Sequence, residues 1–291
     1  MLAKALKHDI KAIWRFWWII AVSVVGLSAV SSVVIRFIIE NQGNSQDNIF
    51  RIIIAVLTLF AFISIAAIVM SPAATNIIVY LRYYKNFFTD EGYLTFTLPV
   101  SRAKLFMAKT INAMIWNTLH FAVLAVCAFI LILFGIPSES GWFINIDIFK
   151  DIGDILSALL ADVPFRAYLY IALYAIEYIV ILVASVFMSV NLVQMCITIG
   201  AIVAKKAKIL VAIGIFYLVN VGFSTVGSII LNLMLITSAG GFVELVSNST
   251  EFVEVMIIAV ILLMVALAMA ALGLLFYLIT LDKIERRLNL A

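Results

Sequence analysis

Six uninterrupted apolar runs govern what this chain can become: residues 17–39, 52–81, 110–135, 167–203, 209–237 and 255–281. Each exceeds the roughly 20 residues that a helix needs to cross the hydrocarbon core of a bilayer. With no water there to bond the backbone, each run must be a helix, which satisfies its own N–H and C=O groups. A membrane β-barrel would need short alternating segments, and these runs are long and continuous. A soluble fold is excluded by the amount of apolar surface. Hydrophobic residues make up 66% and charged residues 12% of the chain, against about 45–50% and about 25% in soluble domains. The expected class is therefore all-α integral membrane, with six transmembrane helices and no soluble domain.

The basic residues give the orientation. With the N-terminus inside, the inner segments hold fifteen of the nineteen Lys and Arg, from Lys4, Lys7, Lys11 and Arg15 to Lys283, Arg286 and Arg287; only Arg36, Arg51, Lys150 and Arg166 fall outside. That bias predicts both termini in the cytoplasm. The first sixteen residues are amphipathic. Leu2, Leu6, Ile10, Ile13, Trp14 and Trp17 share one helical face, and Lys4, Lys7, His8, Lys11 and Arg15 the other. Residues 1–16 are thus expected to be an interfacial elbow helix, with Trp at the headgroup level. The basic stretch is too long, and the apolar run after it too extended, for a cleavable signal peptide. A single transmembrane domain is expected over 17–281, and a cytoplasmic tail over 282–291.

Between these runs, 147–162 has apolar residues recurring at helical period, with Asp151, Asp154 and Ser157 opposite. A weaker pattern covers 242–253. Both are expected to be outer helical segments. The fourth run is long enough that it must break or project from the membrane. Pro72 is expected to bend the second helix, because it lacks a backbone donor. Cys127 and Cys196 lie in different apolar runs and read as small apolar fillers.

The inner loop 82–109 reads RYYKNFFTDEGYLTFTLPVSRAKLFMAK. It is too long for a tight helical hairpin. Thr89, Asp90 and Glu91 can cap a short helix; Gly92 and Tyr93 follow, then Leu94, Phe96 and Leu98, and Pro99 as a stop. Ser101 and Arg102 open the next helix. A short, partly apolar helix between two membrane spans reads as a docking knob.

This loop resembles that of membrane subunits of ABC-type exporters of the second permease class. In that family an acidic residue and Gly precede a short apolar helix ending in Pro-Val-Ser-Arg, followed by Lys. Here the order is Glu91, Gly92, Leu94, Leu98, Pro99, Val100, Ser101, Arg102 and Lys109. Six spans, a basic elbow and cytoplasmic ends are also similar. Thr95, Phe96 and Thr97 depart from the family's Leu-rich stretch. The resemblance implies a permease that pairs with a second permease subunit, a homodimer, and sits on two cytoplasmic ABC ATPases. The segment from Thr89 to Leu98 would couple to the ATPase, with ATP and Mg bound in that partner. It implies a bacterial plasma membrane and export of a hydrophobic or amphipathic cargo. Within the subgroup of phenol-soluble-modulin and antimicrobial-peptide exporters, the cargo is a toxin or antimicrobial peptide. An exporter of lipids or drugs and an ion-coupled secondary transporter are the alternatives.

The chain contains no G-x-x-x-x-G-K-[ST], H-E-x-x-H or G-x-S-x-G sequence, so it is expected to be neither an enzyme nor a metal or nucleic-acid binder. Inside the membrane, Glu177 and His120 each lie about 15 Å from a helix entry point. A carboxylate there is costly unless it is paired or faces a wet cavity. The two are expected either to pack against each other or to line the transport pathway, where Glu177 could also couple to protons. Gly214, Gly222 and Gly227 in the fifth run are expected to allow close helix approach, with a dimer seam as one place for it.

Overall fold

The computed structural model describes residues 2–41, 48–97, 99–138, 144–145, 147–160, 165–204, 206–238 and 251–287. Among them the regular elements are all α-helices: α1 (Leu2–Asn41), α2 (Asn48–Phe88), α3 (Asp90–Phe96), α4 (Arg102–Gly135), α5 (Asp147–Leu160), α6 (Phe165–Val203), α7 (Lys208–Ser238) and α8 (Glu251–Arg287). Six of these, α1, α2, α4, α6, α7 and α8, are long and apolar enough to cross a membrane. This is an all-α, multi-pass membrane protein. Large apolar side chains such as Phe62, Met70 and Leu218 are exposed along these helices, as lipid-facing positions should be. Residues 242–250 of the expected second outer segment lie outside the described residues, and 251–253 begin α8.

The helices overrun the apolar runs. At 1.5 Å per residue, the 41 residues of α2 extend about 60 Å, twice the hydrocarbon thickness. The amphipathic N-terminal stretch is not set off as an elbow. It is continuous with the first span in α1, because neither Gly nor Pro interrupts the helix between Arg15 and Trp18. The fourth run does not break either: α6 is unbroken to Val203. α2 likewise continues through Pro72.

By contact, the chain divides into two compact units: Ala3–Leu81 with Ile115–Val163, and Met1–Leu2 with Arg82–Met114 and Pro164–Ala291. In the first unit, Val24, Ile68 and Cys127 form a buried cluster with Ile20, Val123 and Leu131 around it. Ser28, Ser31 and Ser32 are buried on α1. Their hydroxyls donate to the carbonyls of Val25, Leu27 and Ala29 in the same helix, at 2.7, 2.7 and 2.8 Å. These side chains are small and internally satisfied, so Gly135 of α4 can come close to Ser32. Trp17 packs against the fully buried Trp116, ring centroids 5.2 Å apart and planes tilted by 49°.

In the second unit, α6 packs most extensively on α8 and also on α7. Leu192, Met195, Cys196 and Phe276 form its core. Close approach falls at Gly200 and Gly273. A Cβ on Gly200 would lie 2.7 Å from the Ala212 nitrogen, and one on Gly273 2.6 Å from the Phe187 ring. The expected glycines Gly214 and Gly222 face open space instead. Among the described residues nothing comes within 4 Å of a Cβ at either position, which leaves a dimer seam as the place for the close approach the sequence suggests.

Candidate functional site

The short helix α3 covers the expected knob from Asp90 to Phe96. Its start is tight. The Gly92 amide donates to the Thr89 carbonyl at 2.7 Å, and a Cβ on Gly92 would sit 2.9 Å from the Phe87 carbonyl oxygen. Only glycine lets the helix turn this close to the end of α2. Thr89 does not cap α3 through its side chain, as the sequence suggested. Its hydroxyl donates backward to the Lys85 carbonyl at 2.6 Å, closing α2, where terminal carbonyls lack intrahelical donors.

Asn86 braces the same corner. With its amide oriented to satisfy both ends, it donates to the Arg82 carbonyl at 3.3 Å and to Glu91 Oε2 at 3.2 Å. Its oxygen accepts from Lys109 Nζ at 2.6 Å. Lys109 is buried, and the Asn86 oxygen supplies one of the hydrogen bonds that a buried ammonium requires.

Beneath α3 lies an aromatic core of Tyr83, Phe87, Leu105, Phe106 and Ile284, joined by Phe96, Tyr277 and Leu281. Phe96 meets Phe87 edge-on at 5.4 Å, and Phe106 stacks on Tyr277 at 4.9 Å. The Arg102 guanidinium lies 5.2 Å over the Phe96 ring, a cation–π geometry. It also donates to the carbonyls of Ile284 and Glu285 at 3.2 and 3.1 Å, capping the end of α8, where a cation is favoured. Phe96 and Gly92 therefore face inward and Asp90 faces outward, while Glu91 is exposed but reaches back to Asn86 through Oε2. Pro99 and Lys104 are exposed beside them. The side chains of Tyr93 and Leu94, and all of Leu98, lie outside the described residues.

A polar ladder enters the membrane helices from this corner. Thr110, next to Lys109, donates to Gln194 Oε1 at 2.8 Å. Thr198 donates to the Gln194 carbonyl at 2.8 Å. Its single proton is thereby used, so Tyr83 donates to Thr198 across 2.8 Å. Gln194 Nε2 and, one turn away, Asn191 Oδ1 are buried without partners among the described residues.

His120 is buried in the other unit. Its Nε2 lies 2.8 Å from Ser71 Oγ and its Nδ1 2.9 Å from Thr75 Oγ1. Ser71 gives its own proton to the Ile68 carbonyl at 2.7 Å. His120 Nε2–H therefore donates to Ser71, and Nδ1 accepts from Thr75. Both ring nitrogens are satisfied by α2, leaving neither for the expected contact with Glu177. The signal was present in the sequence: Ser71 precedes Pro72, and Thr75 follows one turn later on the same helical face. Glu177 is half-buried on α6, and its Oε2 has no partner among the described residues.

Among the described residues no group of His, Cys, Asp and Glu is arranged to hold a metal, and both cysteines are free and buried. A scan of protein-family models finds no match, nor does a search of curated proteins or of solved structures.

Proposed function

We propose that this chain is the permease subunit of an ATP-driven exporter of the second ABC class. One observation carries the reading: α3, between the second and third spans, is a braced projection. Gly92 on Phe87, Asn86 on Lys109 and Phe96 under Arg102 fix its inner side, while Asp90 is exposed on the outer side. A loop that only linked two spans would not need such bracing, whereas one that transmits force does. On this reading α3 couples to an ATPase on the cytoplasmic side, the side favoured by fifteen of the nineteen basic residues. ATP and Mg belong to that partner, two copies of which sit beneath a permease dimer in a bacterial plasma membrane. The uncovered face of α7 around Gly214 and Gly222 suits a second copy. Cargo is hydrophobic or amphipathic, with a toxin or antimicrobial peptide the favoured class and lipids or drugs next.

Glu177 supports a second reading, an ion-coupled transporter, because a carboxylate oxygen without a partner inside a membrane helix suits a transported cation. Affinity purification in mild detergent separates the two. A co-purifying ATPase that Gly92→Ala releases supports the exporter. A dimer free of any ATPase, in a preparation where known ABC pairs survive, moves the assignment to ion coupling.

A further inference from the structure

Five residues of α1 lie on one exposed strip of helix: Lys7, Lys11, Trp14, Trp18 and Val22. At 100° per residue they fall within about 80° of one another. Their chemistry changes in order along the strip. Two ammonium groups come first, then two indoles, then an aliphatic side chain that continues into the lipid-facing apolar run. Trp14 and Trp18 stack with centroids 5.7 Å apart and planes inclined by 20°, forming one flat apolar plate that is half exposed. At the basic end, Leu6, Lys7, Ile10, Lys11 and Trp14 line a shallow hollow. The one acid of this segment, Asp9, is buried on the opposite face, while the exposed His8 and Arg15 flank the two lysines. From Lys7 to Val22 the strip is about 22 Å long, half the full thickness of a bilayer.

We infer that this strip is a binding site for one anionic phospholipid. The order of groups matches such a lipid from end to end: phosphate between Lys7 and Lys11, ester region against the indole plate, acyl chain along Val22 and the helix beyond it. Basic side chains near a membrane surface attract anionic headgroups, and indoles settle at the headgroup level. A protein partner would need no such ordering by depth. The inference is independent of the transport reading, because it uses only α1.

Native mass spectrometry of the full chain, released from detergent with phosphatidylglycerol or phosphatidylcholine of identical acyl chains, tests it. The wild type is expected to retain phosphatidylglycerol preferentially. Lys7→Gln with Lys11→Gln should lower that preference roughly fivefold per lysine. Lys7→Arg with Lys11→Arg should preserve it, as should a control carrying Lys104→Gln and Arg286→Gln. Equal retention of the two lipids by the wild type, or an equal loss in the control, would overturn the site. If the glutamine variant does not fold, bromine-labelled phosphatidylglycerol decides the matter in the wild type. Selective quenching of indole fluorescence relative to brominated phosphatidylcholine is expected, and equal quenching would sink the proposal.

Discussion

The Ser71 hydroxyl donates to the carbonyl of Ile68 at 2.7 Å, the oxygen that Pro72, lacking an N–H, leaves without its backbone donor. The same hydroxyl oxygen accepts from His120 at 2.8 Å. A proline that would otherwise weaken α2 is thus repaired by its neighbour, and the repair is tied to a second helix. In Ser71→Ala both the Ile68 carbonyl and His120 Nε2–H lose their partners, at a cost of about 1–3 kcal/mol. A lower melting temperature is expected in detergent, with Ser71→Thr close to wild type. In a Pro72→Ala background, where residue 72 again supplies an N–H, the cost of Ser71→Ala should shrink. A double-mutant cycle reads this coupling directly, and strict additivity would refute it.

Gly92→Ala places a methyl 2.9 Å from the Phe87 carbonyl, backbone that cannot swing aside. Overpacking of this kind costs about 1–3 kcal/mol and falls on α3 alone. Hydrogen exchange should rise across residues 89–97 while the cores around Cys127 and Cys196 stay protected. Unchanged exchange there would remove the steric account.

Arg102→Gln loses a charge-assisted cap on the carbonyls of Ile284 and Glu285 and its cation–π contact with Phe96. Hydrogen bonds from charged groups contribute about 1.5–3 kcal/mol. The last turn of α8 should fray, seen as faster exchange over residues 281–287, although these lie far from position 102 in the sequence. Arg102→Lys keeps the charge but not the planar fork, so it should restore the cap only in part.

For Glu177, whose Oε2 is buried without a partner, Glu177→Gln should raise the melting temperature, because the neutral amide is cheaper to keep in a membrane helix. A lower melting temperature would mean that the carboxylate has a partner that stabilises it. If the chain exports cargo as proposed, export by the same variant separates packing from transport, full export leaving the carboxylate no role in a pathway.

The six membrane helices were legible because apolar length alone specifies a span. Which face of each helix is covered was not, since lipid and a neighbouring helix ask for the same side chains. That is why Gly214 and Gly222 looked like packing glycines and Gly200 and Gly273 did not. The extent of α3 could be read from Asp90, Gly92 and Pro99. The inward turn of Phe96 could not, because it depends on Arg102 and Ile284, which meet only in the folded chain. The amphipathic start of α1 was clear in the spacing of Lys7 and Lys11 against Ile13 and Trp17, but Trp14, read with the apolar face, is exposed on the lysine side. The fusion of that start with the first span rests on a missing breaker, a weaker signal than a present one. Depth in the membrane put His120 level with Glu177 but said nothing of its partners, which are hydroxyls one turn apart on α2.

Between α6 and α7 only residues 204–207 intervene, and Ala207 turns the corner with a positive φ of 56° while Gly200 lies against Ala212. A connection so short bears on how the protein is made. So short a turn leaves almost no chain between the two helices for separate insertion, and it suits entry into the bilayer together as a hairpin, with Lys206 and Lys208 beside its tip. Lengthening that turn would uncouple the two insertions before it disturbed any contact in the finished protein.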